Sequence, residues 1–533
     1  MKIQNRWLGL VVISMAISIV IIDGTIVNTI FPAIITDLSL TSTEVQWVQE
    51  SYVLVFAALL LIWGSLGDQI GRRRLLIIGV TIFIISSVWA GQTESANEMI
   101  MARVIQGIGG SMVLPTTLSL VNANFQGKER GIAFGVWGAT IGGMVAAGPV
   151  LGGWLATDFS WRWAFLINLP IGILILIGLF LLVPESKAAT KSKLDLVGAA
   201  LSVVMFATLV FGLIEGRVYG WWEQNPSKQF ELFGWVWPAD AISVVPVALM
   251  ISLITTALFI AWELDRAKRG KGVLLDLGLF GITSFRNGSI AALIISMGEF
   301  GLLFAIPLWL QNVLELSPIS SGLVLLWLAG GAFLASAVGG AMSGKLSPAR
   351  AVQIGVLLEL VGVAGVGLFV TTGTGWVPLA PLLFIYGIGV GLATAQLTGV
   401  IMVDVPDDKS GQGSGSQSTV RQIGSALGIA VLGTMLFSGT QASLETRLDA
   451  LEVDPQSQVL IVDSVVNSAG GAILGLEGSL TAPLGPELAT EVKLAAEEAF
   501  TDGAKLSAWA AAGFLLLGFF STFRLGKRKV KTT

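Results

Sequence analysis

The sequence predicts an all-α polytopic membrane protein, on three observations. Hydrophobic residues make up 54% of the 533-residue chain, charged residues only 12%, and the mean hydropathy is +0.80, far outside the range of a soluble globular protein. Apolar windows of about 20 residues, the length that crosses roughly 30 Å of hydrocarbon as a helix, recur along the chain. They are continuous where a transmembrane barrel would show short alternating segments.

About fourteen such spans can be marked in order. The first, 8–32, lacks a small-residue cleavage site followed by a polar domain, so it reads as a retained helix and not as a signal peptide. Its single carboxylate, Asp23, lies between Val20-Ile-Ile22 and Ile26-Val27. An acid at that depth costs about 2.5–3.5 kcal/mol on insertion scales unless it is protonated, paired or wet, which makes it a functional candidate. The second span, 45–67, carries Glu50, and the fourth, 99–122, carries Arg103; the third, 75–92, has no charge. The fifth, 132–155, is rich in glycine, and the sixth covers 162–183. Spans at 195–215 and 239–262 flank a loop with Trp221, Trp222, Trp235 and Trp237, whose indoles favour the headgroup zone. The remaining spans are 285–311 with Glu299, 321–343, 351–371 with Glu359, 377–402, 411–438 with Arg421, and 506–525.

An even number of spans puts both termini on one side. With the N-terminus in the cytoplasm, 23 Lys and Arg residues fall on inner segments and six on outer ones, the asymmetry of the positive-inside rule. The same rule argues against a further span at Val459–Leu476, which would move the basic tail outside. Residues 440–505 hold eleven acids and three bases, a net −8 against −4 for the whole chain, leaving +4 elsewhere. They read as an acidic external insertion with amphipathic helical pieces. No basic patch points to nucleic acid. The chain has no Cys and no His, which removes disulfides, thiol chemistry and imidazole metal ligands. A proton carrier working near neutral pH is then a carboxylate in an apolar setting.

Between spans two and three lies Gly64-Ser-Leu-Gly-Asp68-Gln-Ile-Gly71-Arg72-Arg73-Arg74. Its glycines suit two helices joined by a short turn, and Asp68 can pair with guanidinium forks. This loop resembles the signature of the major facilitator superfamily, departing from it at Gln69. Gly340–Arg350 is a weak echo at the same ten-residue spacing, as in transporters built from repeats. Ile22-Asp23-Gly-Thr-Ile-Val-Asn28 through Pro32 resembles the first-helix motif of fourteen-helix drug:proton antiporters, and Arg103-Val-Ile-Gln106-Gly107 the fourth-helix motif. Gly138, Gly142, Gly148, Pro149, Gly152 and Gly153 resemble the antiporter motif, where small residues permit close helix packing and proline permits a bend. Trp161-Arg-Trp163 through Pro170 is similar to the start of the sixth helix; Pro307–Gln311 and Val420–Gly424 are also similar to family sequences.

The resemblance implies a major facilitator fold: a six-helix bundle over 1–190, two additional helices with their linkers over 191–284, and a second six-helix bundle over 285–533 that carries the insertion. It implies a proton-coupled multidrug efflux antiporter, with no cofactor, working as a monomer in the cytoplasmic membrane. Its substrates would be small amphipathic compounds, cationic ones foremost, and its other partners protons and the lipid bilayer. Asp23, Glu50 and Arg103 match acids and a base linked in that family to substrate or proton handling. Glu299 and Glu359 stand on their mid-span position alone. Each also has a structural reading: a carboxyl bonded to a neighbouring helix, an outer residue reaching water, or an arginine holding carbonyls of a bent helix. Other classes remain open at this point: an exporter of one endogenous metabolite or lipid, an intramembrane enzyme, or a receptor or scaffold. No Walker motif is present to support an ATP-driven pump.

Overall fold

The computed structural model describes residues 3–38, 40, 42–187, 195–225, 228–232, 235–238, 240–341, 346–406, 409–477, 481 and 484–525. The first half of the chain folds into α1 (Ile3–Leu38), α2 (Ser42–Ile70), α3 (Arg72–Ala90), α4 (Ala96–Asn124), α5 (Gly127–Asp158), the short α6 (Trp163–Leu166) and α7 (Asn168–Leu182). Two more helices follow, α8 (Leu196–Tyr219) and α9 (Val244–Lys268). The second half comprises α10 (Thr283–Asn312), α11 (Pro318–Ala341), α12 (Pro348–Phe369), α13 (Leu379–Met402), α14 (Ser410–Ala450), α15 (Pro455–Asn467) and α16 (Pro486–Thr522). Twelve helices among the described residues are long and apolar enough to cross a membrane. α2 and α5, at 29 and 32 residues, occupy the expected second and fifth spans. Among the described residues the fold is all-α apart from one antiparallel pair of two-residue strands, Glu231–Leu232 with Trp235–Val236, in the tryptophan loop.

Local chemistry sets several boundaries. Ser95, Asp195, Ser243 and Ser347 each cap a helix with a side-chain oxygen that accepts a first-turn amide. The expected sixth span breaks into α6 and α7 at Ile167. Pro170 cannot donate to the Leu166 carbonyl, and it sits in the first turn of α7, where no donor is needed. At the far end of α1, Arg162 and the Trp161 indole both donate to Asp37. Arg162 first, and Trp161 after it, hold that carboxyl below the usual carboxylate range.

Within the first half, α1 packs on α5 and α7, and α4 on α2 and α3; within the second, α10 packs on α14 and α16, and α13 on α11 and α12. The halves meet along α5–α11 and α2–α14. A Cβ on Gly153 would lie 2.7 Å from the Ile319 Cα, and one on Gly322 would lie 2.8 Å from the Pro149 carbonyl oxygen. At the other end, which carries the basic loops, the Ser119 and Ser414 hydroxyls are 3.1 Å apart. α8 lies against α2 and α14. The linker after α9 is tied to the start of α14 by the Lys409–Asp276 ion pair and by Gln412 Nε2 donating to the Val273 carbonyl at 2.7 Å.

The acidic segment 440–505 is more tightly built than a solvated insertion. α14 continues to Ala450 past the expected end at 438, and α16 begins at Pro486, before the expected start at 506. These extensions bury Leu444, Leu448, Val492, Ala496 and Phe500 with Ile461 and Val465 of α15, in one cluster with Trp309 and Leu310 of α10. A hydropathy window averages Glu487, Glu491 and Glu498 with the alanines on the opposite face and so hides the amphipathic helix. Trp309 Nε1 donates to Thr501 at 2.9 Å, and Lys493 pairs with Glu315 at 2.7 Å. α15 has 13 residues, about 20 Å of helix, short of a membrane crossing.

Phe500 has no exposed surface, so Phe500→Ala should cost about 3–5 kcal/mol. It should lower the thermal midpoint of the purified protein; an unchanged melt would show that the cap folds apart from the bundle.

Candidate functional site: two buried acid–arginine centres

The first centre joins five helices. Asp23 on α1 and Arg103 on α4 have no exposed side-chain surface and form an ion pair, Arg103 Nη1 to Asp23 Oδ2, at 2.5 Å. The second carboxylate oxygen accepts from Gln106 Nε2 at 2.7 Å. Gln106 lies one helical turn from Arg103 and also accepts from its Nη1 at 2.6 Å. Gln106 Nε2 donates further to Ser87 on α3 at 2.8 Å, and Asn168 on α7 donates to the same hydroxyl at 3.2 Å. Arg103 Nε donates to the Val48 carbonyl of α2 at 3.1 Å, and its guanidinium stacks over the Tyr52 ring at 4.3 Å. Arg103 thus pairs with an acid and also donates to a backbone carbonyl, one that belongs to α2 and not to its own helix. Its Nη2 and the Tyr52 hydroxyl have no hydrogen-bond partner. Two unused polar atoms at a buried charge are where a water or a substrate group could bond.

The second centre lies in the other half. Glu299 on α10 is buried, and Arg421 Nη2 on α14 approaches its Oε2 at 3.5 Å. Tyr386 on α13 donates to the Glu299 carbonyl oxygen at 3.1 Å. Glu359 on α12 has no exposed surface, and neither of its carboxyl oxygens has a hydrogen-bond partner. The helices touch here: a Cβ on Gly389 of α13 would lie 2.6 Å from Glu359 Cγ.

The remaining expected residues fall elsewhere. Glu50 is on α2, two residues before Tyr52, and its side chain lies outside the described residues, as do those of Asp68 and Gly142. Gly64 is buried on α2. Gly71 takes φ +118°, and a Cβ there would lie 2.7 Å from the Glu185 carboxylate. That carboxylate accepts from the Arg73 and Arg74 amides at 3.0 and 3.2 Å, capping α3, while Arg72 donates to the Ser186 hydroxyl at 3.1 Å. An acid at a helix N-terminus is favoured there by the helix dipole. The loop is thus anchored by an acid after α7 that carried no sequence signal. In the antiporter motif Gly138 is buried on α5. A Cβ on Gly148 would meet Thr25 Oγ1, one on Gly152 would lie 3.0 Å from the Ile26 carbonyl oxygen of α1, and Gly153 faces α11. Gly148 and Gly152 therefore seat α5 on α1, while Gly153 and Pro149 meet α11 across the interface of the halves.

Ser87, Asn168, Tyr386 and Arg421 were missed as site residues. Arg421 did carry a signal, being the other base inside a span. Three further buried acids among the described residues, Asp195 at the start of α8, Glu215 on α8 and Glu263 on α9, also went unnamed.

Two sets of long apolar helices meet face to face, each with a buried acid–arginine centre, the architecture of a polytopic membrane transporter. The chain belongs to the Major Facilitator Superfamily, whose family profile matches residues 13–429. Over 455 residues it is 33% identical to a protein of Streptomyces coelicolor named a probable actinorhodin transporter, covering 82% of this chain and 74% of that one. It is 29% identical over 530 residues to multidrug resistance protein Stp of Mycobacterium tuberculosis, covering 99% and 94% of the two. With the multidrug efflux pump LfrA of Mycolicibacterium smegmatis it shares 29% over 517 residues, 96% and 94% of the two. Among solved structures, a bacterial homologue of the lysosomal transporter Spinster, inward-facing and unoccupied, superposes with a TM-score of 0.57 at 17% identity, covering 98% of each chain. That likeness speaks for the fold.

Removing one partner of a buried ion pair leaves the other uncompensated, at about 3–5 kcal/mol. Asp23→Asn should therefore lower the melting temperature sharply, and Asp23→Asn with Arg103→Gln should recover much of the loss. Additive losses in that double-mutant cycle would show that the two side chains act independently.

Proposed function

We propose that this chain exports amphipathic compounds, cationic ones foremost, across a cytoplasmic membrane in exchange for inward-moving protons. The observation that carries the reading is the Asp23–Arg103 centre, a carboxylate deep in a span and balanced against one guanidinium. A cationic substrate beside Asp23 competes with Arg103 for the same charge. A proton taken up by a buried carboxyl can then be exchanged for that substrate as the halves rock about their α5–α11 and α2–α14 contacts. A single charge moving inward gains about 2.3 kcal/mol per 100 mV of membrane potential. The end-to-end similarity to Stp and LfrA supports export of drugs. A second reading, export of one endogenous compound, is favoured by the similarity to the protein named an actinorhodin transporter. The basic asymmetry of the loops supports cytoplasmic termini.

In proteoliposomes under an imposed pH gradient, wild type should transport cationic dyes and Asp23→Asn should not. A gradient-independent wild-type flux would contradict proton exchange. A panel of actinorhodin against several unrelated cations separates the two substrate readings. Because the chain lacks Cys, Gln456→Cys should react with an impermeant maleimide in intact cells, and Arg350→Cys only after permeabilisation; the reverse would invert the topology.

A further inference from the structure

We propose that Glu359 in the second half is the group that carries the transported proton, with Arg421 as the cation that moves to it when the proton leaves. This rests on the reading of the chain as a proton exchanger and divides the labour between its two centres.

The geometry separates the two acids. Both Asp23 oxygens have donors, from Arg103 and Gln106, so in this conformation that carboxylate is compensated as an ion. Glu359 is equally buried, yet neither of its oxygens has a donor. An ionised carboxylate in such a place costs several kcal/mol, whereas a neutral carboxyl costs far less. The groups that bear on Glu359 electrostatically are few. Glu299 from α10 repels its ionised form and Arg421 from α14 attracts it. From α13 comes the Tyr386 phenol, which interacts with both acids. α16, also packed against α12, buries no charged side chain among its described residues. One guanidinium thus serves two carboxyls, and it sits with Glu299 at a loose 3.5 Å.

The step balances. The O–H bond of Glu359 breaks, the proton passes to water, and Arg421 shifts from Glu299 to the new carboxylate. Reprotonation from the other side returns Arg421 to Glu299. Arg421 is suited to this because its side chain is 22% exposed while Glu299 is 4%. Its helix also reaches across to the first half, through Ser414 and Ser119. Opening and closing of the halves therefore changes water access at Arg421 and, through it, at Glu359.

The test uses the full-length protein in lipid nanodiscs and in vesicles. Infrared difference spectra between acid and alkaline pH should show a protonated-carboxyl stretching band in wild type, in Glu299→Gln and in Asp23→Asn. That band should be lost in Glu359→Gln. Glu359→Gln should keep counterflow of labelled against unlabelled substrate without a pH gradient, and its gradient-driven export should fall to that of protein-free vesicles. A band that persists in Glu359→Gln, or gradient-driven export by it, overturns the proposal. Loss of counterflow as well, not restored by Glu359→Asp, marks Glu359 as a packing residue and overturns it too. If wild type itself shows no gradient-driven export, the exchange reading falls, while the infrared band still reports whether Glu359 binds a proton.

Discussion

A charge inside a membrane must find its partner within the protein, and that constraint organises this molecule. Asp23 could not sit in the middle of α1 without Arg103, and Arg103 could not be buried without further acceptors. Gln106 and the Val48 carbonyl supply them. Satisfying Gln106 in turn recruits Ser87 and Asn168. One ion pair thereby fixes the relative placement of α1, α2, α3, α4 and α7. The apolar faces of those helices pack well in many rotations; a buried network with directional bonds accepts few.

The second half solves the same problem less completely. Glu299, Glu359 and Arg421 leave one carboxyl without a donor, so charge balance there depends on a proton. The contrast between a compensated centre and an undercompensated one is what a machine that exchanges ions for substrate needs: one region that keeps its shape, and one that changes charge. The glycines of α5, α11 and α13 permit backbone-to-backbone contact between helices, which gives such a change a stiff path to the interface of the halves.

Much of the fold was legible in the sequence because the hydrocarbon layer imposes a length on every span. The expected spans and the observed helices agree to within a few residues over most of the chain. They disagree at the ends of two spans: α14 and α16 run on into the segment read as amphipathic helical pieces, because a hydropathy average ends a helix where its apolar window ends. At the site, the individual charges Asp23, Arg103, Glu299 and Glu359 were legible because a charge in an apolar window stands out. Their pairing was not. Asp23 and Arg103 are 80 residues apart, and nothing local marks which base answers which acid. Ser87 and Tyr386 gave no signal because uncharged polar residues cost little in a span and are common there, and Asn168 stood only as one position of the family-like stretch Trp161 to Pro170. Glu185 was hidden for another reason: its role is to cap a helix that lies over a hundred residues earlier in the chain.

The account stands or falls on exchange of a proton for substrate, and the most direct measurement reads the proton. Vesicles containing the protein with its cytoplasmic face inward, loaded with a cationic substrate and a pH-sensitive dye, are diluted into substrate-free buffer without an imposed gradient. Substrate leaving down its own gradient should draw protons in and acidify the lumen, at a rate that scales with the protein reconstituted. Efflux of substrate with no change in luminal pH would contradict it.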